Sequence, residues 1–341
     1  MKNIYRRIVF SSCFFLFVFS TTLFSQNGYK TVVKLTDLPD EVLLNNMQRN
    51  ATELLTEMNE AFYQNREPNI KSNVISDEGK EILSSLWATS PIRCIETQII
   101  EKVLMMKRGN KYQVRNIPVF VKDVFAEDST NSKTLDTTKH YYEICLTFNS
   151  SGMIENIFYT LESNNYVRLK NEGVTVTEIS RREFILEFIE NFRTAYNRKD
   201  IDFLKKVYSD DALIITGKVI KTEHSDMMNK LGEVIVQYQK QTKKEYIEAL
   251  ENRIFKKNKY LDIVFDDIKI VKDLKYDDLY GVNLKQYWNA SGYKDVGYLF
   301  LMIDFKEENN PIIHVRTWQP EGAEQTKKGI FGLNSFDIIR N

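Results

Sequence analysis

Apolar residues recur every three or four positions at the start of the first folded region. Between residues 40 and 67 one helical stripe carries Leu44, Met47, Ala51, Leu54, Leu55, Met58 and Phe62. This spacing is typical of an amphipathic α-helix. Pro39 and Asp40 are residue types that favour a helix start. The pattern therefore predicts a long helix that begins near Asp40, followed by a shorter helix over 77–87.

The period of the pattern then changes from three or four to two. Alternating segments over 94–108, 112–124, 140–148 and 153–163 predict four strands, with turns at Gly109-Asn110 and over 150–152. The polar stretch over 127–139 predicts a hairpin loop. Helices followed by a meander of antiparallel strands indicate an α+β fold in which the sheet packs on the helices.

A second region repeats this order of elements. Residues 182–200 carry an apolar stripe of Ile185, Phe188, Ile189, Phe192 and Ala195, and Asp200 is placed to cap a short helix after it. A strand over 212–220, a third helix over 243–258 and four further strands follow. These late strands span 260–273, 279–291, 296–305 and 311–320.

The two regions resemble a divergent tandem repeat. The first helix of each ends in a similar motif, AFYQNRE over 61–67 and AYNRKD over 195–200. The last hairpins, over 148–160 and 305–317, align without a gap. A repeat of about 150 residues indicates duplicated domains, because solenoid repeats are roughly 20–50 residues long. The sequence predicts one domain over 30–170 and another over 180–341 that includes a C-terminal tail.

Residues 188–220 read FIENFRTAYNRKDIDFLKKVYSDDALIITGKVI. This stretch resembles the entry of NTF2-like domains, also called SnoaL-like or ketosteroid-isomerase-like domains. The resemblance covers roughly 180–320; the first region shares only the order of elements. It implies a cone in each domain, with N-terminal helices packed on a curved antiparallel sheet that is open at one end. We expect tandem cones in an exported bacterial protein.

The first 25 residues predict a secretory signal peptide. A basic start at Lys2, Arg6 and Arg7 precedes a short apolar run, and Ser25 is a small residue at the expected cleavage point. The alternative is an uncleaved anchor, although the run is shorter than the roughly 20 residues that span a bilayer. Cleavage implies a periplasmic or extracellular protein, and no later stretch of the sequence approaches a membrane span.

Cleavage would remove three basic residues and leave 44 basic and 47 acidic residues, a net charge of −3. A chain without a basic excess is not expected to bind nucleic acid. Two cysteines, Cys94 and Cys145, would remain. Export permits a disulfide between them if strand register brings them together, and the alternative is two unpaired thiols. Both fall on the more polar side of their predicted strands.

Candidate chemistry concentrates near the strand IIHVRTWQP over 312–320. Alternation places His314, Arg316 and Trp318 on one face, and Tyr287 or Trp288 on a neighbouring strand. Enzymes of the resembled family use cone-lining residues, such as an aspartate base with a tyrosine donor, and the resemblance makes Asp211 and Tyr196 further candidates. His314 has the chemistry of a general base, and Arg316 that of an anion clamp.

The same strand allows a non-catalytic interpretation. Ile313 and Val315 on the opposite parity would then face the core, and the His314 face would be an outer or interface surface. No phosphate loop, nucleophile elbow or metal-binding histidine motif is present, so no cofactor and no metal are expected. We therefore expect a non-catalytic module of the cell envelope that binds a small molecule or an envelope protein. A homodimer through a sheet face is a further expectation. The alternative is an isomerase, dehydratase or hydrolase that uses the second cone.

Overall fold

The computed structural model of the protein describes residues 29–106, 110–122, 141–171, 176–221, 234–291, 293–307, 310–326 and 329–336. The predicted signal peptide over 1–25 and the predicted loop over 127–139 lie outside these residues. The described chain forms two compact units. The first unit holds the described residues from 29 to 157, apart from 88–90. The second unit holds residues 88–90 and the described residues from 158 onward. Helices accompany sheets in both, which confirms the α+β class. Among the described helices, none is long and apolar enough to cross a membrane.

The first unit contains the long helix that the apolar stripe predicts. Helix α1 spans Glu41–Gln64, and the Asp40 carboxylate caps it by accepting a hydrogen bond from the Leu43 N–H at 3.0 Å. Asn65 ends the helix in the left-handed conformation, a common way for helices to terminate. The stripe residues that no solvent reaches are Met47, Ala51, Leu54, Leu55 and Met58. Burial of this stripe against the sheet stabilises the helix more than its intrinsic propensity does.

The next elements are a helix and then strands, as predicted, but some begin or end at other residues than predicted. They are helix α2 (Asp77–Thr89) and strands β1 (Val32–Thr36), β2 (Ile92–Cys94), β3 (Gln98–Lys102), β4 (Leu104–Met105), β5 (Tyr112–Val121), β6 (Tyr141–Phe148) and β7 (Ile154–Tyr159). The predicted single strand over 94–108 is wrong, because the chain breaks there into β2, β3 and β4. Strand β1 was not predicted, and it pairs with β3 in parallel. The other strands form a sheet in the order β2-β5-β6-β7, with β4 also paired to β5.

No disulfide joins Cys94 and Cys145 in the structure, and both are buried. The expectation that they fall on the polar side of their strands is wrong. Ile144 and Leu146 on either side of Cys145 are buried as well, so this part of β6 is covered on both faces. Burial raises the pKa of the Cys94 thiol, which makes it less reactive.

The second unit contains four helices and six strands among its described residues. They are α3 (Ser163–Asn171), α4 (Ile179–Asn197), α5 (Ile201–Val207), α6 (Lys243–Ala249), β8 (Tyr208–Lys221), β9 (Val234–Gln241), β10 (Leu261–Lys272), β11 (Leu279–Ala290), β12 (Tyr293–Asp304) and β13 (Ile312–Pro320). Helix α6 continues into a wider helical turn over Leu250–Phe255. As predicted, Asp200 caps α5 by accepting from the Phe203 N–H at 2.9 Å.

The six strands form one sheet in the order β10-β11-β12-β13-β8-β9. The prediction of a wholly antiparallel sheet is wrong at one place, because β13 and β8 run parallel. A parallel pair needs a long connection, and here the whole meander lies between the two strands. Register shifts occur in β10, between β12 and β13, and between β13 and β8. Such shifts bend strands and increase their twist.

The sheet of the second unit has two differently covered faces. The inner face packs on the helices, with Phe192 of α4 and Leu299 and Ile303 of β12 in one buried apolar cluster. The outer face carries a smaller cluster of Leu279, Phe300, Met302 and Val315. The C-terminal segment over 329–336 packs on that outer cluster through Phe331, Leu333 and Phe336.

The two units share an order of elements that extends beyond the meander. In the first unit a parallel bridge joins Ile75 to Ile154 of β7. In the second unit β8 pairs in parallel with β13. Thus in each unit the last meander strand is joined in parallel by the segment that follows the long helix. The meander strands themselves occur in corresponding order, β2-β5-β6-β7 and β10-β11-β12-β13.

Candidate ligand-binding site

Strand β13 is not a regular strand at His314. Met302 of β12 faces Val315, and the next residue, Ile303, faces Ile313, so His314 has no partner in the ladder. His314 is therefore the extra residue of a β-bulge. An extra residue reverses the alternation, so Ile313 and Val315 face opposite sides of the sheet. Ile313 belongs to the inner cluster and Val315 to the outer one.

The bulge separates His314 from Arg316 and Trp318, so the expectation of one shared face is wrong for His314. The His314 Nε2 lies 3.5 Å from the Asp304 carboxylate. Asp304 follows Ile303 of the inner cluster and, by alternation, lies on the outer face. The interpretation that placed Ile313 and Val315 together in the core is wrong for the same reason.

Asp211 also lies away from the inner face. Its neighbour Ala212 is part of the inner cluster, so Asp211 projects from the other side of β8. The Ser209 hydroxyl donates a hydrogen bond to the Asp211 carboxylate. That hydrogen bond lowers the pKa of Asp211 despite partial burial, and the charge of His314 contributes less. Asp211 is thus an exposed, ionised carboxylate and does not share a pocket with Tyr196.

Arg316 lies on the inner face among three buried tyrosines. Its guanidinium carbon is 5.1 Å from the centre of the Tyr246 ring. The Tyr196 hydroxyl lies 2.9 Å from the Tyr208 hydroxyl and 2.7 Å from the Tyr246 hydroxyl. All four side chains are at least 96% buried. Helices α4 and α6 and strands β8 and β13 each supply one of them.

Electrostatics keep this cluster positive. Burial raises the pKa of Tyr196 and Tyr208 well above the ordinary value, so both hydroxyls are neutral. Burial by itself lowers the pKa of the Arg316 guanidinium, but the oxygens of Tyr246, Tyr196 and Tyr208 raise it above its ordinary value. Arg316 therefore stays charged inside the unit, where an unpaired charge is costly.

Trp318 is buried beside the same cluster. A side chain on Gly297 would place its Cβ 2.5 Å from the Trp318 Nε1, and one on Gly217 would place it 2.5 Å from the indole ring. The two glycines therefore leave room for the ring. Trp288 lies half-buried against the inner cluster, with its ring centre 6.0 Å from that of Tyr196. Trp288 and Tyr196 thus contact each other on the inner face that also carries Arg316 and Trp318.

Tyr287 does not belong to this group. It is the neighbour of Trp288 along β11, so alternation places it on the outer face. Its ring is 37% exposed, and the Lys285 ammonium lies 5.5 Å from its centre. The structure therefore brings together Tyr196, Trp288, Arg316 and Trp318, and it leaves Tyr287, Asp211 and His314 on the other side of the sheet.

Sequence reasoning missed three members of the inner cluster. Tyr208 and Tyr246 contact Tyr196, and Asp295 faces Trp288 across the β11–β12 ladder. Asp295 alternates in phase with Leu299 and Leu301, and that phase could have indicated a buried acid. Burial raises the pKa of Asp295, although the Tyr293 hydrogen bond and the Arg316 charge oppose the rise.

Four buried polar atoms of this cluster lack a hydrogen-bond partner. They are the Arg316 Nε and Nη1, the Trp318 Nε1 and the Asp295 Oδ1. Native proteins satisfy most buried polar atoms, and each unsatisfied one costs about 1–3 kcal/mol. Three donors and one acceptor therefore face the interior of the second unit without a protein partner. In the described parts of the chain, no group of three or more metal-ligating side chains is placed to hold a metal ion.

The first unit offers a groove of about 510 Å³ beside β1 and α1. Three of its polar side chains are already engaged. Gln48, Thr52 and Thr56 line it, and their oxygens accept hydrogen bonds from backbone N–H groups in and beside β1 at 2.8, 3.0 and 3.2 Å. These hydrogen bonds satisfy the backbone N–H groups along the unpaired edge of β1, so the three side chains have a structural role. The buried Arg316, with two unpartnered donors, makes the inner face of the second unit the candidate site.

Comparisons with known proteins add partial similarities. No protein-family model matches the chain, and no curated protein matches it. An NTF2-like protein from Cytophaga hutchinsonii is 17% identical over 41% of this chain and 98% of that chain, with a TM-score of 0.30. The helical cell shape determining protein Pgp2 from Campylobacter jejuni is 12% identical over 41% of each chain, with a TM-score of 0.32. Naphthalene 1,2-dioxygenase with indole bound is 11% identical over 39% of this chain and 75% of that chain, with a TM-score of 0.29.

Proposed function

We propose that the second unit binds a small molecule at the inner face of its sheet and that the protein is a non-catalytic binding module. One observation carries the proposal: Arg316 is fully buried and charged, yet its Nε and Nη1 donate to no protein atom. A purely structural arginine would be expected to bond backbone carbonyls. Arg193 in the same unit does so, with its Nε 2.6 Å from the Ile263 carbonyl oxygen and its Nη1 3.2 Å from that of Thr160.

Aromatic side chains supply the rest of a binding site. Trp318, Trp288 and Tyr196 present flat apolar surfaces beside the charged group. Ligand sites are usually lined by apolar and aromatic side chains with a few polar groups, and the residues around Arg316 are of those types. Asp295 adds an acceptor, and the Trp318 Nε1 adds a donor.

We further propose that the two units are tandem NTF2-like domains. The parallel pairing that follows the long helix in each unit supports this, as do the corresponding strand orders. The YSDDALIITG stretch supports it for the second unit. A crystal structure whose two units could not be superposed strand for strand would count against the duplication.

We propose that the protein is exported and acts in the periplasm or outside the cell. The basic start, the short apolar run and Ser25 support cleavage at that point. Mass measurement of the protein purified from its native host tests this, with an expected start near Gln26. An intact Met1 in a cytosolic fraction would overturn it.

A homodimer through a sheet face, or an envelope protein as partner, remains part of the proposal. The C-terminal segment over 329–336 already covers the outer cluster of the second unit. The Asn283 amide also donates to the Phe331 carbonyl at 2.6 Å. A dimer through this part of the sheet would therefore have to displace the segment.

A second candidate function is proton transfer in an isomerase or dehydratase. Asp295 favours it, because burial raises the pKa of this acid and one of its oxygens is unpaired. A general base with a raised pKa suits proton abstraction near neutral pH. Deuterium exchange into a bound ligand in heavy water would reveal this chemistry, and Asp295→Asn should abolish it. Exchange that Asp295→Asn leaves unchanged would remove the candidate.

Ligand binding is tested on the full chain with a small-molecule library read by thermal shift. We expect ligands that raise the melting temperature of the parent but not that of Arg316→Met. Arg193→Met is the matched control, because it removes another buried arginine of the same unit outside the cluster. It should lower the starting melting temperature and keep the ligand-induced rise. A library in which no response depends on Arg316 would contradict the proposal.

A further inference from the structure

Resting on the proposed function, we propose that the ligand is a small planar monocarboxylate whose carboxylate pairs with Arg316. Its flat apolar part would lie against Trp318, Trp288 and Tyr196. The proposal follows from the charge balance of the site, the number of free donors and the shape of its walls.

The charge balance of the inner cluster is incomplete. Arg316 is a cation beside Tyr196, Tyr208 and Tyr246, and burial keeps Tyr196 and Tyr208 in their neutral form. Among the described residues, no carboxylate lies within 4.0 Å of the Arg316 guanidinium. A buried arginine without a counter-ion is strongly unfavourable, whereas one paired with a carboxylate is a common arrangement. An anionic ligand would complete the pair.

The charge of Arg316 lowers the pKa of Asp295, but Asp295 is not the counter-ion of Arg316. Its carboxylate is hydrogen-bonded with Tyr293, and the influence of Arg316 on it is smaller than the effect of burial. An acid paired directly with a guanidinium would show the opposite balance. The Arg316 charge therefore remains available to an anionic ligand.

The number of charges selects a monoanion. One buried guanidinium offsets one carboxylate, while a phosphate dianion would leave a second charge without a partner in a site of low polarity. The Trp318 Nε1 supplies one more free donor for a ligand oxygen. The Trp288 and Tyr196 rings pack edge to face, with centres 6.0 Å apart and planes at 70°, so a planar apolar group would lie against their outer surfaces and not between them.

Matched acids and amides test the inference on the full chain. Benzoate with benzamide, and cinnamate with cinnamamide, differ in charge and little in shape. Binding is measured by calorimetry and by quenching of tryptophan fluorescence. We expect at least tenfold tighter binding of the acid in each pair. We expect this preference to disappear in Arg316→Gln and to persist in Arg193→Gln.

Each outcome decides between the two proposals. Equal affinity for acid and amide in the parent would overturn the monocarboxylate and leave ligand binding standing. No binding of either member of a pair at millimolar concentration would overturn the monocarboxylate, and the thermal-shift library would then decide on ligand binding. An acid preference that persists in Arg316→Gln would overturn the role of Arg316. If Arg316→Gln does not fold, Arg316→Lys replaces it, and it should retain the acid preference with at least fivefold weaker binding, because lysine keeps the charge and loses the planar donors. Unchanged affinity in Arg316→Lys would equally overturn the assignment.

Discussion

The Asn197 side chain holds the backbone of Ile263 from both sides: its Oδ1 accepts from the Ile263 N–H at 2.9 Å, and its Nδ2 donates to the Ile263 carbonyl at 3.3 Å. Ile263 lies on β10, the edge strand of its sheet. In the first unit, Asn59 of α1 accepts from the Cys94 N–H at 2.7 Å, and Cys94 lies on the edge strand β2. The long helix of each unit thus occupies the free edge of its first meander strand.

Asn197→Ala should destabilise the second unit, and Asn59→Ala the first. Each change leaves a buried strand N–H without its acceptor, at a cost of about 1–3 kcal/mol in the free energy of unfolding. Chemical denaturation beside the parent measures both. Asn191→Ala, on the same helix and partly buried, is the control and should cost less. Equal stability of Asn197→Ala and the parent would show that water replaces the contact.

Arg316→Met and Arg193→Met should affect stability in opposite ways. Arg316 leaves two donors unsatisfied, so methionine of similar length removes a buried charge, and the free energy of unfolding should stay equal or rise. Arg193→Met should lower that free energy by about 1–3 kcal/mol, because two carbonyl oxygens lose their donor. Denaturant unfolding of ligand-free protein separates the two. A large loss in Arg316→Met would identify Arg316 as structural.

Asp295→Asn should stabilise the protein at neutral pH and not at acidic pH. The folded-state pKa of Asp295 is raised, so the folded protein binds a proton more tightly than the unfolded chain does. The contribution of Asp295 to the free energy of unfolding is therefore fully present below its pKa in the unfolded chain. It is lost as the pH rises through its pKa in the folded protein. The difference in unfolding free energy between Asp295→Asn and the parent should grow with pH over that window. A difference that does not change with pH would mean that folding does not raise the pKa of Asp295.

Trp318→Ala should lower the free energy of unfolding by about 3–5 kcal/mol, because the indole is only 3% exposed. Gly297→Ala should also destabilise, since its Cβ would meet the Gln319 carbonyl oxygen at 2.4 Å as well as the indole. Urea denaturation measures both. The stability loss in Trp318→Ala shows burial and not ligand contact. Ligand binding by Trp318→Ala and by the parent is therefore compared under conditions in which both are fully folded. A loss below about 1 kcal/mol would place Trp318 at the surface.

Removal of residues 329–341 should make the protein associate. The described part of this segment covers Leu279, Phe300, Met302 and Val315, and its loss would expose a contiguous apolar surface. Light scattering after size exclusion, over a range of concentrations, should show dimers or larger species. Phe336→Ala is a milder test and should lower the melting temperature without full dissociation of the segment. A truncated chain that stays monomeric would show that the cluster needs no cover.

Sequence patterns predicted the parts of the fold that depend on local periodicity. The stripe through Met47 and Leu55 predicted α1, and Asp40 and Asp200 predicted two helix starts. Pairing between distant segments left no such trace. The parallel pairing of β8 with β13 and of β1 with β3 depends on contacts that alternation alone does not encode.

The sequence named seven candidate site residues, and the structure places four of them together. Arg316, Trp318, Trp288 and Tyr196 are brought together on one face, while His314, Asp211 and Tyr287 are not. The reason is local, because a strict period of two cannot indicate where a strand carries one residue too many. Tyr208, Tyr246 and Asp295 were missed since they come from three different elements, and only the assembled sheet and helices bring them beside Arg316.

The extra residue at His314 also determines how this chain should be aligned with others. Relatives that lack the bulge would be one residue shorter between β12 and the end of β13. A gapless alignment would then place their inner-face side chains opposite Val315 or Thr317. In such an alignment, position 316 would appear variable even if every relative carried an arginine at the same place in the structure. A one-residue gap at position 314 removes that error.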